Sequence, residues 1–284
     1  FSIKTSTRYL WRAQLATSEG RLISLVPHST RPHKTRSMVA DPRLVEFIKA
    51  IRDEYGNVGK EAIHPLLQAH AESLGIAGYS KSKIGKIIKR NHFFFEGKKI
   101  IKRRIAKSGK RVTRSPKVTS PGYIEIDCVT VWVQGQRRYF VTGIDVYTRL
   151  ASAKPIPHLN SRETRDFLKE WQMELPYSVH TVQTDNGSEF LAEFHDYLEK
   201  TGILHSFTYP HSPRINGYIE RFNWTIQNHY VNRCHELWSD QEEKALAKLD
   251  RFLQWYNEIR PHQSLKLQTP ASFTNQYFSN MSAT

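Results

Sequence analysis

Three acidic residues stand where a carboxylate needs a reason. Asp127 lies inside Ile124-Glu125-Ile126-Asp127-Cys128, an Ile/Val-rich stretch of strand character. A charge there is costly unless it is paired or bound to a metal ion, so ion pairing or metal ligation is the chemistry open to it. Asp185 follows a second strand candidate in Thr184-Asp185-Asn186-Gly187-Ser188-Glu189-Phe190, and strand ends are where sheets display functional groups. The Asn-Gly pair permits a positive backbone dihedral and Ser188 can cap the next helix, so the turn is accounted for while the aspartate is not. Glu220 sits in Pro213-Arg214-Ile215-Asn216-Gly217-Tyr218-Ile219-Glu220-Arg221-Phe222, just after the start of a helix that carries Ile219, Phe222 and Ile226 on one side. A glutamate in a first helical turn usually offsets the helix dipole. Taken singly, each acid has a structural excuse.

The elements that must position these acids can be read around them. Tyr123 to Val133 predicts a strand, Gln134-Gly135-Gln136-Arg137 a turn, and Tyr139 to Ile144 and Leu150 to Pro155 two further strands of an antiparallel meander. A helix over Arg162 to Glu174, a strand over Val179 to Thr184, a helix over Glu189 to Lys200 and a strand over Ile203 to Phe207 follow. Together these predict a mixed sheet with helices packed against it. Beyond Glu220, Ser239 with Glu242 forms a possible capping box, and Leu246, Leu249, Phe252, Leu253 and Tyr256 supply a helical core stripe.

The charge is unevenly divided. Of a net +15, residues 1–120 carry 26 Lys/Arg against 8 Asp/Glu, while residues 121–284 carry 16 against 19. A basic N-terminal part joined to a near-neutral C-terminal part predicts a polyanion-gripping region attached to a module with another task. Residues 1–40 end in a polar run, Ser29 to Arg36, that reads as a basic arm. It can track phosphates or lie in a minor groove through Arg31, or serve as an ordinary solvated linker. From Asp41-Pro42 three helices are predicted. The first carries Leu44, Phe47, Ile48 and Ile51 and stops near Gly56; the second spans Gly59 to Leu74; the third is capped by Ser80 and turns Ile84, Ile87 and Ile88 inward. Ser82, Lys83, Lys86, Lys89 and Arg90 face outward on that third helix. Three short helices with a basic last one resemble a helix-turn-helix domain; a plain three-helix bundle with a solvated basic face is the alternative. Residues 97–117 hold ten Lys/Arg and no acid, including Arg103, Arg104, Lys110 and Arg111. This basic linker suits sequence-independent contact with a DNA backbone.

Cys128 and Cys234 lack close Cys/His partner sets and predict idle thiols in a reducing compartment. No apolar run approaches the roughly 18 residues of a membrane span. Phe1 opens no recognisable leader, so the sequence reads as part of a longer chain.

Order and spacing of the three acids change their weight. Over about residues 118–275 the chain resembles the catalytic core shared by retroviral integrases and bacterial insertion-sequence transposases, the DDE superfamily. Its pattern is an Asp on the first strand, a second in T-D-N-G-x-E-F, and a Glu in N-G-x-x-E-R. Here 34 residues separate Asp185 from Glu220. Tyr256-Asn257, Arg260-Pro261-His262-Gln263-Ser264-Leu265 and Thr269-Pro270 resemble the tail of the insertion-sequence branch. A retroviral integrase would instead carry a His/His/Cys/Cys zinc head, which two cysteines exclude within this chain.

The resemblance implies an RNase H-like α/β fold and a catalytic, metal-holding triad of Asp127, Asp185 and Glu220. Asp127 would bridge two Mg²⁺ ions, with Mn²⁺ as substitute, and the other two acids would hold one each. It implies hydrolysis at a transposon end to expose a 3′ hydroxyl, then attack of that hydroxyl on target DNA. A DNA-binding regulator without catalysis and a nuclease that cuts without joining are the alternatives. The implied partners are double-stranded DNA and further copies of the chain, with no membrane; nothing in the sequence specifies an accessory ATPase. The implied setting is the bacterial cytoplasm, at the nucleoid. The implied organisation is a segment with basic arm (1–40), a helix-turn-helix domain (41–95), a basic linker (96–120), the RNase H-like core (121–235) and a helical extension (236–284). Among neighbouring residues, Glu125 and Glu189 read as surface or helix-start acids, with Glu189 ordering its loop, and Asp145 as the organiser of a turn. Asn186, Asn216 and Arg221 can contact DNA phosphates or brace the acids, and His211 reads as a loop histidine.

Overall fold

The computed structural model describes residues 4–26, 39–95, 117–208, 216–234 and 236–282. It forms two units, residues 1–40 and 41–284. In the first, helix α1 (Thr5–Thr17) is followed by a short turn at Leu22–Leu25, and neither has a buried residue.

The second unit opens with three helices: α2 (Pro42–Tyr55), α3 (Lys60–Ser73) and α4 (Lys81–Arg90). The Asp41 carboxylate accepts the Arg43 amide at 2.9 Å and Ser80 Oγ accepts the Lys83 amide, so the expected caps form. Leu44, Ile48, Ile63, Leu67, Ile84 and Ile87 are fully buried between the helices. Arg52 is buried too: Nε donates to the Phe93 carbonyl at 2.6 Å, Nη2 to Asn57 Oδ1 at 2.6 Å, and Nη1 to the Val58 carbonyl.

The sheet comprises β1 (Tyr123–Val133), β2 (Gln136–Asp145), β3 (Ala151–Ile156), β4 (Thr181–Thr184) and β5 (Leu204–Phe207), in the order β3-β2-β1-β4-β5. The first three strands are an antiparallel meander; β4 and β5 add in parallel on the other side of β1. The β1–β2 turn is tighter than the sequence predicts. Gln134 (φ 47°) and Gly135 (φ 82°) form it alone, the paired positive dihedrals that suit a two-residue hairpin.

Alternation along β1 separates two tasks. Ile124 and Ile126 join Val141, Val182, Phe167, Leu168, Trp171, Phe194 and Leu198 in a core under α5 (Ser161–Glu174) and α6 (Glu193–Thr201). Burying each such side chain contributes about 1.5–3 kcal/mol. Gly143 of β2 lets the Trp171 ring lie against the strand; a Cβ there would sit 2.3 Å from Cζ3. The predicted helix over 189–200 is two pieces, a turn at Ser188–Phe190 and then α6, because Ala192 takes φ 45° between them.

The opposite sheet face, with Glu125, Asp127 and Thr142, receives α7 (Gly217–Ile226). The helix continues through a π turn, Gln227–Val231, into α8 (Asn232–Cys234). Then come α9 (Leu237–Asp240), α10 (Glu242–Gln254) with a second π turn at Trp255–Ile259, and α11 (Pro270–Ser282). The expected Ser239/Glu242 capping box does not fall at a helix start: Ser239 lies within α9, and Gln241 is the cap residue of α10. The core stripe of α10 is Ala245, Leu249 and Phe252, continued by Trp255 and Tyr256, while Leu246 stays exposed.

The three-helix part is seated on this C-terminal assembly. The last carbonyls of α2 accept from the core: Glu54 from Arg233 Nη1 at 2.9 Å, Asp53 from Arg233 Nη2, and Tyr55 from His229 Nδ1. Donors at a helix C-terminus satisfy carbonyls that lack intrahelical partners. The Tyr55 ring stacks on Trp255 at 4.5 Å. Among the described residues no helix is long and apolar enough to cross a membrane.

Candidate active site

The parallel β1–β4 pairing runs Tyr123↔Thr181, Ile124↔Val182, Glu125↔Gln183. Continued by two residues beyond its last pair, that register would bring Asp127, in the middle of β1, beside Asp185, just past the end of β4. Helix α7 crosses the same face and brings Glu220 in its first turn and Asn223 three residues later, both on one side of the helix.

The Asp127 carboxylate is held at both oxygens. Oδ2 accepts Asn223 Nδ2 at 2.8 Å and Oδ1 accepts the Cys128 amide at 2.8 Å. Asn223 is fixed in turn by Thr142, whose Oγ1 lies 2.7 Å from Asn223 Oδ1 and 3.0 Å from the Asp127 carbonyl. Asp185 is exposed and its Oδ1 accepts the Gly187 amide at 2.9 Å, which closes the turn. Glu189 folds back over that turn, its carboxylate against the Cα of Gly187.

These acids share a field. Burial pushes the Asp127 carboxyl up to about 6; the bond from the Cys128 amide opposes this, and the charges of Asp185, Glu189 and Glu220 add to it. Burial, then Glu189, Asp127 and Asp185, raise the Cys128 thiol far above its ordinary value, so it stays protonated and inert. Glu189 is therefore a fourth acid at the site, beyond the loop-ordering part expected of it.

Glu125 corrects its sequence reading. It is fully buried, with Oε2 accepting the Ile219 amide of α7 at 2.8 Å and Oε1 without a hydrogen-bond partner among the described residues. Burial drives its carboxyl up to about 7 against the stabilising amides of Ile219 and Tyr218. It seats the N-terminus of the helix that carries Glu220. Asp145 does organise a turn: Oδ1 accepts the amides of Tyr147 at 2.8 Å and Thr148 at 2.7 Å, and Oδ2 that of Gly122 at 2.8 Å.

Asp127, Asp185 and Glu220 are thus electrostatic neighbours, but among the described residues no three His, Cys, Asp or Glu side chains meet the geometry of a metal cage. The donor chemistry does fit a hard divalent ion. The donors are carboxylate oxygens, and each Asp127 oxygen accepts one hydrogen bond among the described residues where an ionised carboxylate offers about four lone-pair sites in all.

The other expected contacts divide. Asn186 Nδ2 donates to the Thr208 carbonyl at 2.9 Å and Asn216 Oδ1 accepts Gln183 Nε2 at 2.5 Å, so both brace the strand ends. Arg221 is exposed, its guanidinium 5.1 Å from the Trp224 ring centre. On α4, Ser82, Lys86, Lys89 and Arg90 are exposed, whereas the Lys83 ammonium lies 3.6 Å over the Tyr79 ring. Arg31, Arg103, Arg104, Lys110, Arg111 and His211 lie outside the described residues. Asn223 and Thr142 went unnoticed in the sequence; the spacing of Asn223 three residues after Glu220 was the available signal.

Known proteins share parts of this sequence and its fold. The Integrase core domain family matches residues 118–213 and, in a second description, residues 201–270. A putative integrase of Spiroplasma virus SpV1-C74 is 31% identical over 163 residues, 49% of this chain and 42% of that protein. The transposase InsD for insertion element IS2D of Escherichia coli strain K12 is 25% identical over 234 residues, 78% of this chain and 75% of that protein. An uncharacterised insertion element IS476 protein of Xanthomonas euvesicatoria is 35% identical over 97 residues, 34% of this chain and 27% of that protein. The chain spans less than half the length of two of these three curated relatives. Among solved structures, a simian T-cell lymphotropic virus intasome in complex with a PP2A regulatory subunit aligns at 14% identity. Its TM-score is 0.52, over 80% of this chain and 73% of that one, a likeness of fold. The mixed five-stranded sheet flanked by helices is the RNase H-like arrangement of the integrase core.

Proposed function

Because the chain belongs to the integrase-core superfamily together with the transposases of bacterial insertion elements, we propose that it is a DDE polynucleotidyl transferase. It cleaves DNA at element ends and transfers the exposed 3′ hydroxyl end into target DNA. The observation that supports this best is that the charges of Asp185 and Glu220 act on the Asp127 carboxyl, whose strand pairs in parallel with β4 just ahead of Asp185, with Glu220 carried on α7. Asp127, Asp185 and Glu220 would hold the divalent ions, Mg²⁺ or Mn²⁺, which when bound would supply charge relief on the leaving oxygen and activation of the attacking water or hydroxyl. The protein's own part is positional. Asn223 and the Cys128 amide keep Asp127 aimed, Glu125 seats the Glu220 helix, and Asn186 and Asn216 brace the strand ends.

In the same reading, residues 41–95 are a helix-turn-helix domain. Ser82, Lys86, Lys89 and Arg90 on the open face of α4 meet DNA, joined by Lys83 once it leaves Tyr79. Arg31 of the N-terminal arm and Arg103, Arg104, Lys110 and Arg111 of the linker add phosphate contacts, as does Arg221. Residues 121–235 are the catalytic core and 236–284 its extension. Joining both element ends in one event calls for a homo-oligomer on the DNA, in the cytoplasm at the nucleoid.

The test is a strand-transfer assay with labelled element ends in Mg²⁺ or Mn²⁺. Joined product that vanishes in Asp127→Asn, Asp185→Asn and Glu220→Gln, with DNA binding retained, is expected. Cleavage without joining would make it a nuclease, and binding without cleavage a regulator.

A further inference from the structure

Trp224 keeps 49% of its surface exposed, although tryptophan ordinarily buries its large apolar ring. It lies on an exposed stripe that α7 shares with Glu220: Gly217, Glu220, Arg221 and Trp224, and Asn228 in the following turn, are all exposed. It follows Glu220 by four positions on the helix, a rise of about 6 Å. The ring is positioned by its neighbours. The Arg221 guanidinium lies 5.1 Å from its centre, the His229 ring meets it edge-on at 6.5 Å, and its carbonyl accepts Asn228 Nδ2 at 2.7 Å. Among the described residues about half of its surface stays open, and the guanidinium of Arg221 lies beside it.

We propose that Trp224 is a stacking platform for an unpaired nucleobase at the DNA terminus, and that the same ring holds Arg221 ready for the adjoining phosphate. The proposal rests on the transposase reading and deepens it, because it names what the acids' outer neighbour on α7 grips. An indole face accepts any base, and a guanidinium held against an aromatic ring loses less freedom when it meets a phosphate. A base stacked on this ring sits about one helical turn from Glu220, which brings its own phosphodiester toward the acids. The fold contains its own control. Trp132, 61% exposed with Arg137 at 4.9 Å, is a similar pair at the β1–β2 hairpin tip, five strand residues and about 17 Å from Asp127.

The experiment uses the full chain without divalent metal and duplexes of the element ends that carry a terminal unpaired 2-aminopurine. Its fluorescence is expected to fall on binding. Trp224→Ala should abolish that quench and weaken binding of the frayed end about 5- to 100-fold, the range base–aromatic stacking spans. Trp224→Phe should keep part of both, and Trp132→Ala should change neither. Circular dichroism on each variant separates loss of stacking from loss of fold. Equal quenching by wild type and Trp224→Ala, with strand transfer intact in the wild type, would overturn the inference and leave the transposase reading standing. A wild type that neither binds nor joins ends removes both. Self-association lost in Trp224→Ala with the quench unchanged would assign the ring to a second copy of the chain and overturn the inference as well.

Discussion

Asn223 Nδ2 donates to Asp127 Oδ2 across 2.8 Å, from the helix that carries Glu220 to the strand that carries Asp127. One side chain thereby ties two of the three acids into a common frame, and Thr142 keeps the amide from turning over. Asn223→Ala is expected to lower cleavage about 10- to 100-fold, the usual cost of losing a group that orients a metal ligand. Apparent affinity for Mn²⁺, read from the metal dependence of thermal unfolding, should weaken in parallel, while binding of DNA should not.

Glu125 makes a signed prediction about pH. Its carboxyl titrates near 7 in the fold against an ordinary 4.5, so the folded state holds the proton more tightly. That contribution is complete below about 4.5 and is lost as pH rises through about 7, with a full span of about 3 kcal/mol. Asp127, raised to about 6, acts in the same direction. Urea midpoints of the metal-free protein should fall between pH 5 and pH 8, and Glu125→Gln should flatten the slope. Glu125→Ala should destabilise at every pH by about 1–3 kcal/mol, since the Ile219 amide loses its buried acceptor. A slope unchanged in Glu125→Gln would contradict this account.

His262 runs the other way. It is buried with Nε2 bonded to the Tyr256 carbonyl at 3.0 Å, and burial with the nearby Arg260 charge brings its pKa down to about 3. Its neutral form is favoured by folding, so this contribution is present above the ordinary 6.5 and is lost as pH falls toward 3. His262→Gln should remove that acid-side loss, measurable as a shallower decline of melting temperature below pH 6.

Gly143→Ala is expected to destabilise by about 1–3 kcal/mol, because the added methyl meets the Trp171 ring within a rigid core. The double variant with Trp171→Leu should recover part of the loss in urea unfolding, and strict additivity would argue against direct contact.

Arg233→Ala strips two acceptors at the end of α2 of their donor. Unfolding of the second unit, expected as one transition in the wild type, should split in this variant with α2–α4 melting first. Circular dichroism and Trp255 fluorescence, which reports the Tyr55 stack, would then no longer coincide.

What could be read from the sequence follows from what is local. The strand alternation and the turn residues around Asp185 are properties of adjacent residues, so the sheet and two of the acids were visible directly. Glu125 was misread because an acid two residues from Asp127 on an alternating strand shares its face, and only the arrival of α7 converts that face from solvent to interior. Asn223 looks like any polar helix residue until Thr142 and Asp127 appear on either side of it. The break at Ala192 gave no cue, since alanine favours helix and rarely takes the positive φ it has here. Helix α1 went unseen because it buries nothing and offers no apolar stripe to a pattern search.

The π turn at Gln227–Val231 sets a phase. Between Glu220 and Arg233 the chain is one rod, and a π turn holds one residue more than an α-helical path requires. Each residue advances a helix by about 100°, so that surplus decides which way the far end of the rod points relative to the near end. Removing a single residue from the turn would leave Glu220 facing the acids but rotate Arg233 away from the carbonyls of α2. The seating of the N-terminal helices and the aim of the acidic site are thus two ends of one angular setting, and lineages that lose or gain a residue here must retune both.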